Sequence, residues 1–394
     1  MKAFVIPRDR IVRIIAGLAA EELGARFKRH VDFLTVAGWS EDTPLGAGGL
    51  ALSKAERAAC ARRAADFFGL DPASIDAAGA ERLADWARAA EEGATRSLIV
   101  MRFTPAGRDS ERESCAHPAD EVFADAAAAA NLLYGRRRMI SLVAPHGLLG
   151  FATTVLTPSL LRIPCVDARG MAPDALAAAL AFGDVVVATP TLWRYVIKEG
   201  VSAPDNAMAV SFGEPMTAEL AAEMRKAGFG AIREFYGSTE TGLVAWRDSP
   251  DEAFILFDHW RREGEDLLRR SPSGATRRVE AMDVLRWQSE RSFRLGGRRD
   301  GAVQVGAVNV FPDRIAEAIR RHRFVEDCEV SADGRPGGLT RLIAHIKLNA
   351  EIPPTEQTAR EIDAWCRAQL GSHERPRIYH FEAESPARSG KRSG

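Results

Sequence analysis

The sequence predicts an α/β protein: a large N-terminal domain with a mostly parallel sheet and helices, followed by a small C-terminal α+β domain. Three observations predict it. Residues 9–97 are rich in Ala, Leu and Arg with few strand signals, which reads as a run of helices. From about Ser97 short apolar runs alternate with helical segments, and crossovers of that length imply parallel pairing. Residues 296–301 are Gly- and Arg-rich, and a smaller α+β pattern begins beyond them. The expected division is 1–96, 97–297 and 298–394.

Within the helical region, residues 45–70 give the clearest signal: a Gly-rich turn, then an amphipathic helix that starts at Ser53 as its N-cap. In the middle region strands are expected at 97–103, 139–143, 163–167, 185–188, 208–212 and 231–235, with helices at 173–182 and 191–198. Between the last two strands a helix starts at Thr217 as N-cap and stops at Gly228. Beyond residue 301, strands at 302–305, 327–332 and 340–348 alternate with helices at 313–321 and 355–370. No long repeat or low-complexity tract interrupts the chain.

Composition narrows the classes of function. The 394 residues give room for two or three domains and a sizeable core. A net charge of −1 offers no electrostatic case for nucleic acid or an anionic membrane as partner. The five cysteines, Cys60, Cys115, Cys165, Cys328 and Cys366, are scattered and form no CxxC pair. That argues against a disulfide framework or a zinc site and for a reducing compartment. Residues 1–15 lack a signal-peptide core, and the apolar run 140–156 holds Pro145, His146 and two glycines and falls short of a membrane span. A soluble, cytoplasmic chain is expected.

The most informative stretch is Tyr236-Gly237-Ser238-Thr239-Glu240-Thr241-Gly242, which sets hydroxyls and a carboxylate between two glycines at the end of an expected strand. A polar turn at the carboxyl edge of a parallel sheet is where α/β proteins bind ligands. Hydroxyls there can hold phosphate oxygens, and Glu240 can hold the Mg²⁺ that accompanies a nucleotide. The same heptapeptide reads equally well as a polar hairpin turn. Downstream, Asp283-Val284-Leu285-Arg286-Trp287 is followed by Gly297-Arg298-Arg299-Asp300-Gly301, and Ser389-Gly390-Lys391 stands near the end.

This order of motifs resembles the adenylate-forming superfamily, which comprises acyl-CoA and aryl-CoA ligases, luciferases and carrier-protein-loading adenylation domains. The resemblance implies that Tyr236, Gly237, Ser238, Thr239 and Glu240 form the ATP and Mg²⁺ motif, with Thr239 and Glu240 catalytic. It implies that Asp283 and Arg298 hold the ribose, that Arg299 and Asp300 are a hinge, and that Lys391 is the catalytic lysine. Gly213-Glu214-Pro215 resembles the loop that stacks on adenine. His146, with Phe212, Tyr236 and Gly237, would border the acyl pocket. Each has a plainer reading beside it: His146 a core histidine, Tyr236 packing, Asp283 a strand-edge acid, Lys391 a tail lysine. The implied chemistry attacks the α-phosphate of ATP with a carboxylate, releases pyrophosphate, and passes the acyl group to a thiol, normally that of coenzyme A. Two anions meet in the first step, so cations and donors must neutralise the developing charge. Movement of the small domain about the hinge would exchange Lys391 for the thiol between the two half-reactions.

The phrases GRRDGAVQVGAVNVFP, CAHP at 115–118 and LGAGGLALSKAER at 45–57 resemble the short 4-coumarate–CoA ligases associated with photoactive yellow protein, which supply the thioester of its chromophore. That resemblance implies an aromatic acid, 4-coumarate, as substrate, with a possible acyl acceptor protein downstream. Three departures stand out. The family's phosphate loop, rich in Gly, Ser and Thr and ending in Pro-Lys, is replaced by residues 104–112, with Thr104 at its start and Arg112 near the usual lysine. Pro105 has no N–H to donate, and Asp109 and Glu111 repel phosphate. Lys54 occupies the serine place of a sequence similar to a carrier-protein attachment site, so no pantetheine attaches there. Ala307 replaces a usual glycine. The expectation is an ATP-dependent carboxylate–CoA ligase; the alternatives are a catalytically impaired pseudo-ligase that only binds, or an adenylyltransferase that loads a carrier protein.

Overall fold

The computed structural model describes residues 6–77, 79–105, 114–299, 301–305, 308–334 and 340–381. The chain divides into two compact units, Met1–Ala281 with Leu285–Leu295, and Met282–Val284 with Gly296–Gly394.

The first unit opens with helices Arg8–Phe27, Phe33–Gly38, Lys54–Phe68, Pro72–Ile75 and Leu83–Ser97. Ser53 caps as expected: its hydroxyl accepts the Glu56 N–H, and the Glu56 carboxylate accepts the Ser53 N–H at 2.8 Å. These helices do not keep a core of their own. Ile14, Leu18, Phe67 and Trp86 are fully buried in the same cluster as Met139, Val143 and Phe151 from the sheet region. Phe67 meets Phe103 and Phe151 edge-on, at ring-centroid distances of 5.0 and 5.5 Å.

The large sheet is mixed. Its order runs Asp283–Trp287, Ser292–Arg298, Phe254–Leu256, Gly242–Arg247, Ala231–Ser238, Met208–Ser211, Asp184–Ala188, Arg138–Ser141, Cys165–Asp167. The boundary between the units runs through the first two of these strands. From Ala231–Ser238 to Cys165–Asp167 the pairing is parallel; from Ala231–Ser238 to Gly242–Arg247 and onward to Phe254–Leu256 it is antiparallel. The parallel strands Asp184–Ala188 and Met208–Ser211 are buried on both faces. Alternate side chains feed two cores: Val185 and Val187 face one, Val186 and Ala188 the other. This is why their sequence reads as continuous apolar runs. The second core is closed by Trp193, Leu220 and Met224 from helices Pro190–Lys198 and Ala218–Lys226.

Two expectations are corrected. The strand expected at 97–103 is Val100–Phe103, and it pairs antiparallel with Cys115–Pro118 in a separate two-stranded sheet, so it does not join the parallel series. The helix expected at 173–182 spans Pro173–Ala179. The apolar run 140–156 is a strand end followed by the short helix Leu148–Gly150 and a π-helical segment Phe151–Leu156, whose Thr153 and Thr154 hydroxyls donate to the Leu149 and Gly150 carbonyls at 2.6 and 2.7 Å. No helix of the described residues is long and apolar enough to cross a membrane. Helix Ala119–Leu132 and the antiparallel sheet Trp260–Glu263, Asp266–Arg270, Thr276–Val279 had no counterpart in the sequence reading.

The second unit holds the hairpin Val303–Val305 with Val308–Val310, and a sheet in which Thr340–Leu348 pairs antiparallel with Val325–Gly334 and parallel with Ile378–Phe381. Helices Pro312–Arg320 and Glu356–Gln369 bury Ile315, Ile319, Ile362 and Cys366 against it. The expected elements of this region are all present; strands Val308–Val310 and Ile378–Phe381 are additional.

Because Phe67 joins the helices to the sheet region, Phe67→Ala should cost about 3–5 kcal/mol of unfolding free energy. Urea denaturation should show the first unit unfolding in one earlier transition. Separate melting of the helices, with the sheet region unmoved, would contradict a shared core.

Candidate functional site

Strand Ala231–Ser238 carries the acidic turn. Its chain reverses through residues 239–241 and returns antiparallel as Gly242–Arg247, with Gly237 opposite Leu243 and Ser238 opposite Gly242. Both readings of the heptapeptide hold at once: it is a polar hairpin turn, and it stands at the carboxyl end of a strand parallel to Met208–Ser211. The turn is closed by its own hydroxyls. The Ser238 N–H donates to Thr241 Oγ1 at 3.0 Å, and the N–H groups of Glu240 and Thr241 donate to Ser238 Oγ at 3.2 and 3.3 Å. The flanking glycines are required by space. A Cβ on Gly237 would lie 2.1 Å from the Gly242 carbonyl oxygen. A Cβ on Gly242, at φ 81°, would lie 2.3 Å from Asp125 Oδ2. Thr239 and Glu240 are half-buried, and no side chain among the described residues engages theirs.

Beneath the turn lies a buried ionic network. Arg269, from strand Asp266–Arg270, is 1% exposed. Its guanidinium lies 2.9 Å from Glu121 Oε2 and 2.8 Å from Asp125 Oδ1, both on helix Ala119–Leu132, and donates to the Thr241 carbonyl at 3.0 Å. Asp125 accepts the Leu243 N–H at 3.0 Å, and Trp260 Nε1 donates to the Leu243 carbonyl at 2.7 Å. His117 Nε2 is 2.7 Å from the Thr239 carbonyl. A carbonyl only accepts, so that nitrogen carries the proton. Burial pushes the His117 pKa below the ordinary histidine value, which keeps the ring neutral. The sequence reading missed Glu121, Asp125, Arg269 and His117. The available signal was two acids four residues apart on an otherwise Ala-rich helix.

The neighbouring loop is tied to the same strand. Phe212 is buried at the end of Met208–Ser211, and Gly213, Glu214 and Pro215 follow it. The Met216 N–H donates to Glu234 Oε1 at 3.1 Å, and Glu234 is held by Arg247 at 2.6 Å. The Glu214 carboxylate turns toward helix Pro190–Lys198, accepting the Thr191 hydroxyl at 2.8 Å. Loop 213–215 and the 238–241 turn thus leave the carboxyl ends of adjacent parallel strands, the ordinary location of a ligand crevice.

No family model matches the chain. Among curated proteins it is 27% identical over 385 residues to a 4-coumarate–CoA ligase of Halorhodospira halophila, covering 96% of each chain. It is 31% identical over 254 residues to a 4-coumarate–CoA ligase of Rhodobacter capsulatus, covering 64% of this chain and 63% of that one. Among solved structures, the amide bond synthetase McbA from Marinactinospora thermotolerans superimposes with a TM-score of 0.59 at 19% identity over 72% of this chain. The match covers 65% of McbA, so the chain spans just under two thirds of that neighbour's length. A malonyl-CoA ligase complex with methylmalonyl-CoA and AMP gives a TM-score of 0.55 at 16% identity, covering 73% and 71%. The chain has the adenylate-forming fold.

Within that fold the remaining expected residues fall as follows. The Tyr236 ring packs on Phe254 and Phe293, at 5.6 and 5.5 Å, as one wall of an aromatic group. His146 is 8% exposed: its Nε2 lies 2.9 Å from Glu21 Oε1, and its ring fills the space over Gly17. The structure therefore clamps His146 to helix Arg8–Phe27. Asp283, Arg298 and Arg299 belong to the second unit, where the Arg299 N–H donates to the Met282 carbonyl at 2.9 Å and brings the Asp283 and Arg298 backbones together. Thr104 is half-buried at the end of the Val100–Phe103 strand. Arg112, Asp300, Ala307 and Lys391 lie outside the described residues. Among the described residues no cluster of three or more His, Cys, Asp or Glu is arranged to hold a metal ion.

Arg269→Ala should cost about 3–5 kcal/mol, because it removes the one guanidinium that both buried carboxylates share and leaves, as ion-pair partners, Glu121 only the part-exposed Arg277 at 2.8 Å and Asp125 only His259 at 2.9 Å. Chemical denaturation measures this, and a loss below about 1 kcal/mol, the scale of a surface ion pair, would show the network to be solvated. His117 adds a pH dependence. Its folded pKa is depressed, so the unfolded chain binds the proton first, and stability falls as pH drops through the unfolded value of about 6.5. His117→Gln, which keeps an N–H for the Thr239 carbonyl, should flatten the fall in Tm between about pH 7 and 5. A variant as steep as the natural chain would place the titrating group elsewhere.

Proposed function

We propose that the chain is an ATP-dependent, AMP-forming carboxylate–CoA ligase that activates an aromatic acid, with 4-coumarate as the acid its curated relatives point to. The observation that carries this reading is the rigid turn at the sheet edge. Ser238 and Thr241 close it and Arg269 holds the Thr241 carbonyl, while the half-buried Thr239 hydroxyl and Glu240 carboxylate take no part in those bonds. Thr239 donates its hydroxyl to a phosphate oxygen of ATP. Glu240 supplies the single carboxylate that a nucleotide-bound Mg²⁺ needs, the remaining positions going to phosphate and water. Bound there, Mg²⁺ would neutralise phosphate charge as the carboxylate approaches.

The other roles follow from the resemblance set out above. Gly213, Glu214 and Pro215 border the adenine, while Asp283 and Arg298 hold the ribose hydroxyls. Phe212, Tyr236, Gly237 and His146 border the acyl group. Thr104 and Arg112 would bind the triphosphate, in a stretch of sequence that lacks the usual glycines. Lys391 bridges the substrate carboxylate and the α-phosphate, and Arg299 and Asp300 are the pivot. In the first step a carboxylate oxygen bonds to the α-phosphorus and pyrophosphate leaves. In the second, the thiolate of coenzyme A bonds to the acyl carbon and AMP leaves. The five cysteines form no disulfide, which fits the cytoplasmic location proposed for the chain.

The test is pyrophosphate release with ATP, Mg²⁺ and a panel of hydroxycinnamic, benzoic and fatty acids, followed by thioester formation on free coenzyme A or on a phosphopantetheinylated carrier protein. Hydroxycinnamic acids should give the highest rate, with coenzyme A as acceptor. Lys391→Ala should remove adenylation but spare thioester formation from supplied acyl-AMP. Equal loss of both half-reactions would contradict the role given to Lys391. Nucleotide binding without pyrophosphate release from any acid would establish the pseudo-ligase instead.

A further inference from the structure

The first unit carries a groove of about 710 Å³ that shares no residue with the proposed nucleotide and acyl site. Its floor is one face of helix Ala119–Leu132, where Ala124, Ala127 and Ala128 leave a concave apolar strip. The same helix buries Val122, Ala126 and Ala129 in the core and aims Glu121 and Asp125 at Arg269; Ala127 is left exposed and Ala124 half-buried, while Ala128 packs partly against the core. Trp246 and Ile255 form the opposite wall, and Ile255 remains 41% exposed. The volume falls in the range of about 300–1,000 Å³ that small-molecule sites occupy.

Charge at the rim selects the occupant. Arg291 is engaged: it donates to Asp258 at 2.7 Å and to the Leu256 carbonyl at 2.9 Å. His259 is engaged as well, 2.9 Å from Asp125. Arg270 also lines the groove and is exposed; its backbone N–H donates to the His259 carbonyl at 2.8 Å, and its guanidinium has no hydrogen-bond or ion-pair partner among the described residues. An apolar trough with one uncompensated guanidinium at its edge complements a ligand with a ring or short chain and a single anionic group. We propose that this groove is a binding site for an amphipathic organic anion, its apolar body between the alanine face and Trp246 and its charge on Arg270.

The probe is 8-anilinonaphthalene-1-sulfonate, with N-phenyl-1-naphthylamine as its uncharged counterpart, each titrated into the full chain by fluorescence. One saturable sulfonate site should appear, with energy transfer from tryptophan that falls in Trp246→Phe. Arg270→Ala should weaken the sulfonate by about 10–100-fold, the value of a charge-assisted hydrogen bond, and leave the neutral probe unchanged. Ala127→Trp, which fills the trough from an exposed helical position, should remove both. Circular dichroism and Tm establish that each variant is folded. Absence of saturable binding, or binding unmoved by Ala127→Trp, would overturn the site. Equal affinity for the two probes, with Arg270→Ala affecting neither, would overturn its selectivity for anions.

Discussion

A buried guanidinium between two buried carboxylates holds the centre of the first unit. Arg269 reaches Asp125 across 144 positions of sequence, and in doing so it fastens three elements that have no local reason to meet. Helix Ala119–Leu132 supplies the acids, strand Asp266–Arg270 the cation, and the hairpin of Ala231–Ser238 with Gly242–Arg247 the Thr241 carbonyl and the Leu243 N–H that complete both. Three charges removed from water carry a large desolvation cost, offset only when each remaining donor and acceptor finds a partner. That condition fixes geometry. The carboxylate that must accept the Leu243 N–H leaves no room for a Cβ at Gly242, so backbone conformation and ionic network determine one another.

A second buried pair acts on the same strand from its other side. Glu234 takes the Arg247 guanidinium with one oxygen and the Met216 N–H with the other. One network therefore anchors the 238–241 turn and the other anchors the 213–215 loop, each to strand Ala231–Ser238 or the hairpin it begins. Two loops at the carboxyl ends of adjacent parallel strands are set by fixed charges beneath them. Such preorganisation spares the rearrangement that would otherwise accompany the development of charge in a transition state.

How much of this was legible depended on whether the signal was local. The parallel strands were, because burial on both faces makes continuous apolar runs such as Val185 to Ala188. Helix starts at Ser53, Thr217 and Thr355 were, because each cap uses a hydroxyl within three residues of its N–H partner. The hairpin of Val100–Phe103 with Cys115–Pro118 was not, since its register, Met101 opposite His117, spans a connection that carries no short-turn signature. Strands such as Thr276–Val279, TRRV, put arginine where a sheet pattern wants an apolar residue and so read as loop. Arg269 was the hardest to see: in Asp-Leu-Leu-Arg-Arg nothing local separates the buried Arg269 from the exposed Arg270. The distinction arises only once Glu121 and Asp125 have been brought alongside.

The same accounting separates folding from chemistry inside the heptapeptide. Tyr236 packs in an aromatic group, Gly237 and Gly242 give clearance, and Ser238 and Thr241 close the turn. Each of these residues has a structural task that would stand in a protein with no ligand at all. Thr239 contributes its carbonyl to His117 but not its hydroxyl, and the Glu240 carboxylate supports nothing among the described residues. The carboxylate and the hydroxyl stand side by side, half-buried, in a turn that other residues close. What folding leaves unexplained there is one half-buried carboxylate next to one half-buried hydroxyl, neither of them used by the turn itself, and it is on this pair that the proposed magnesium-phosphate role rests.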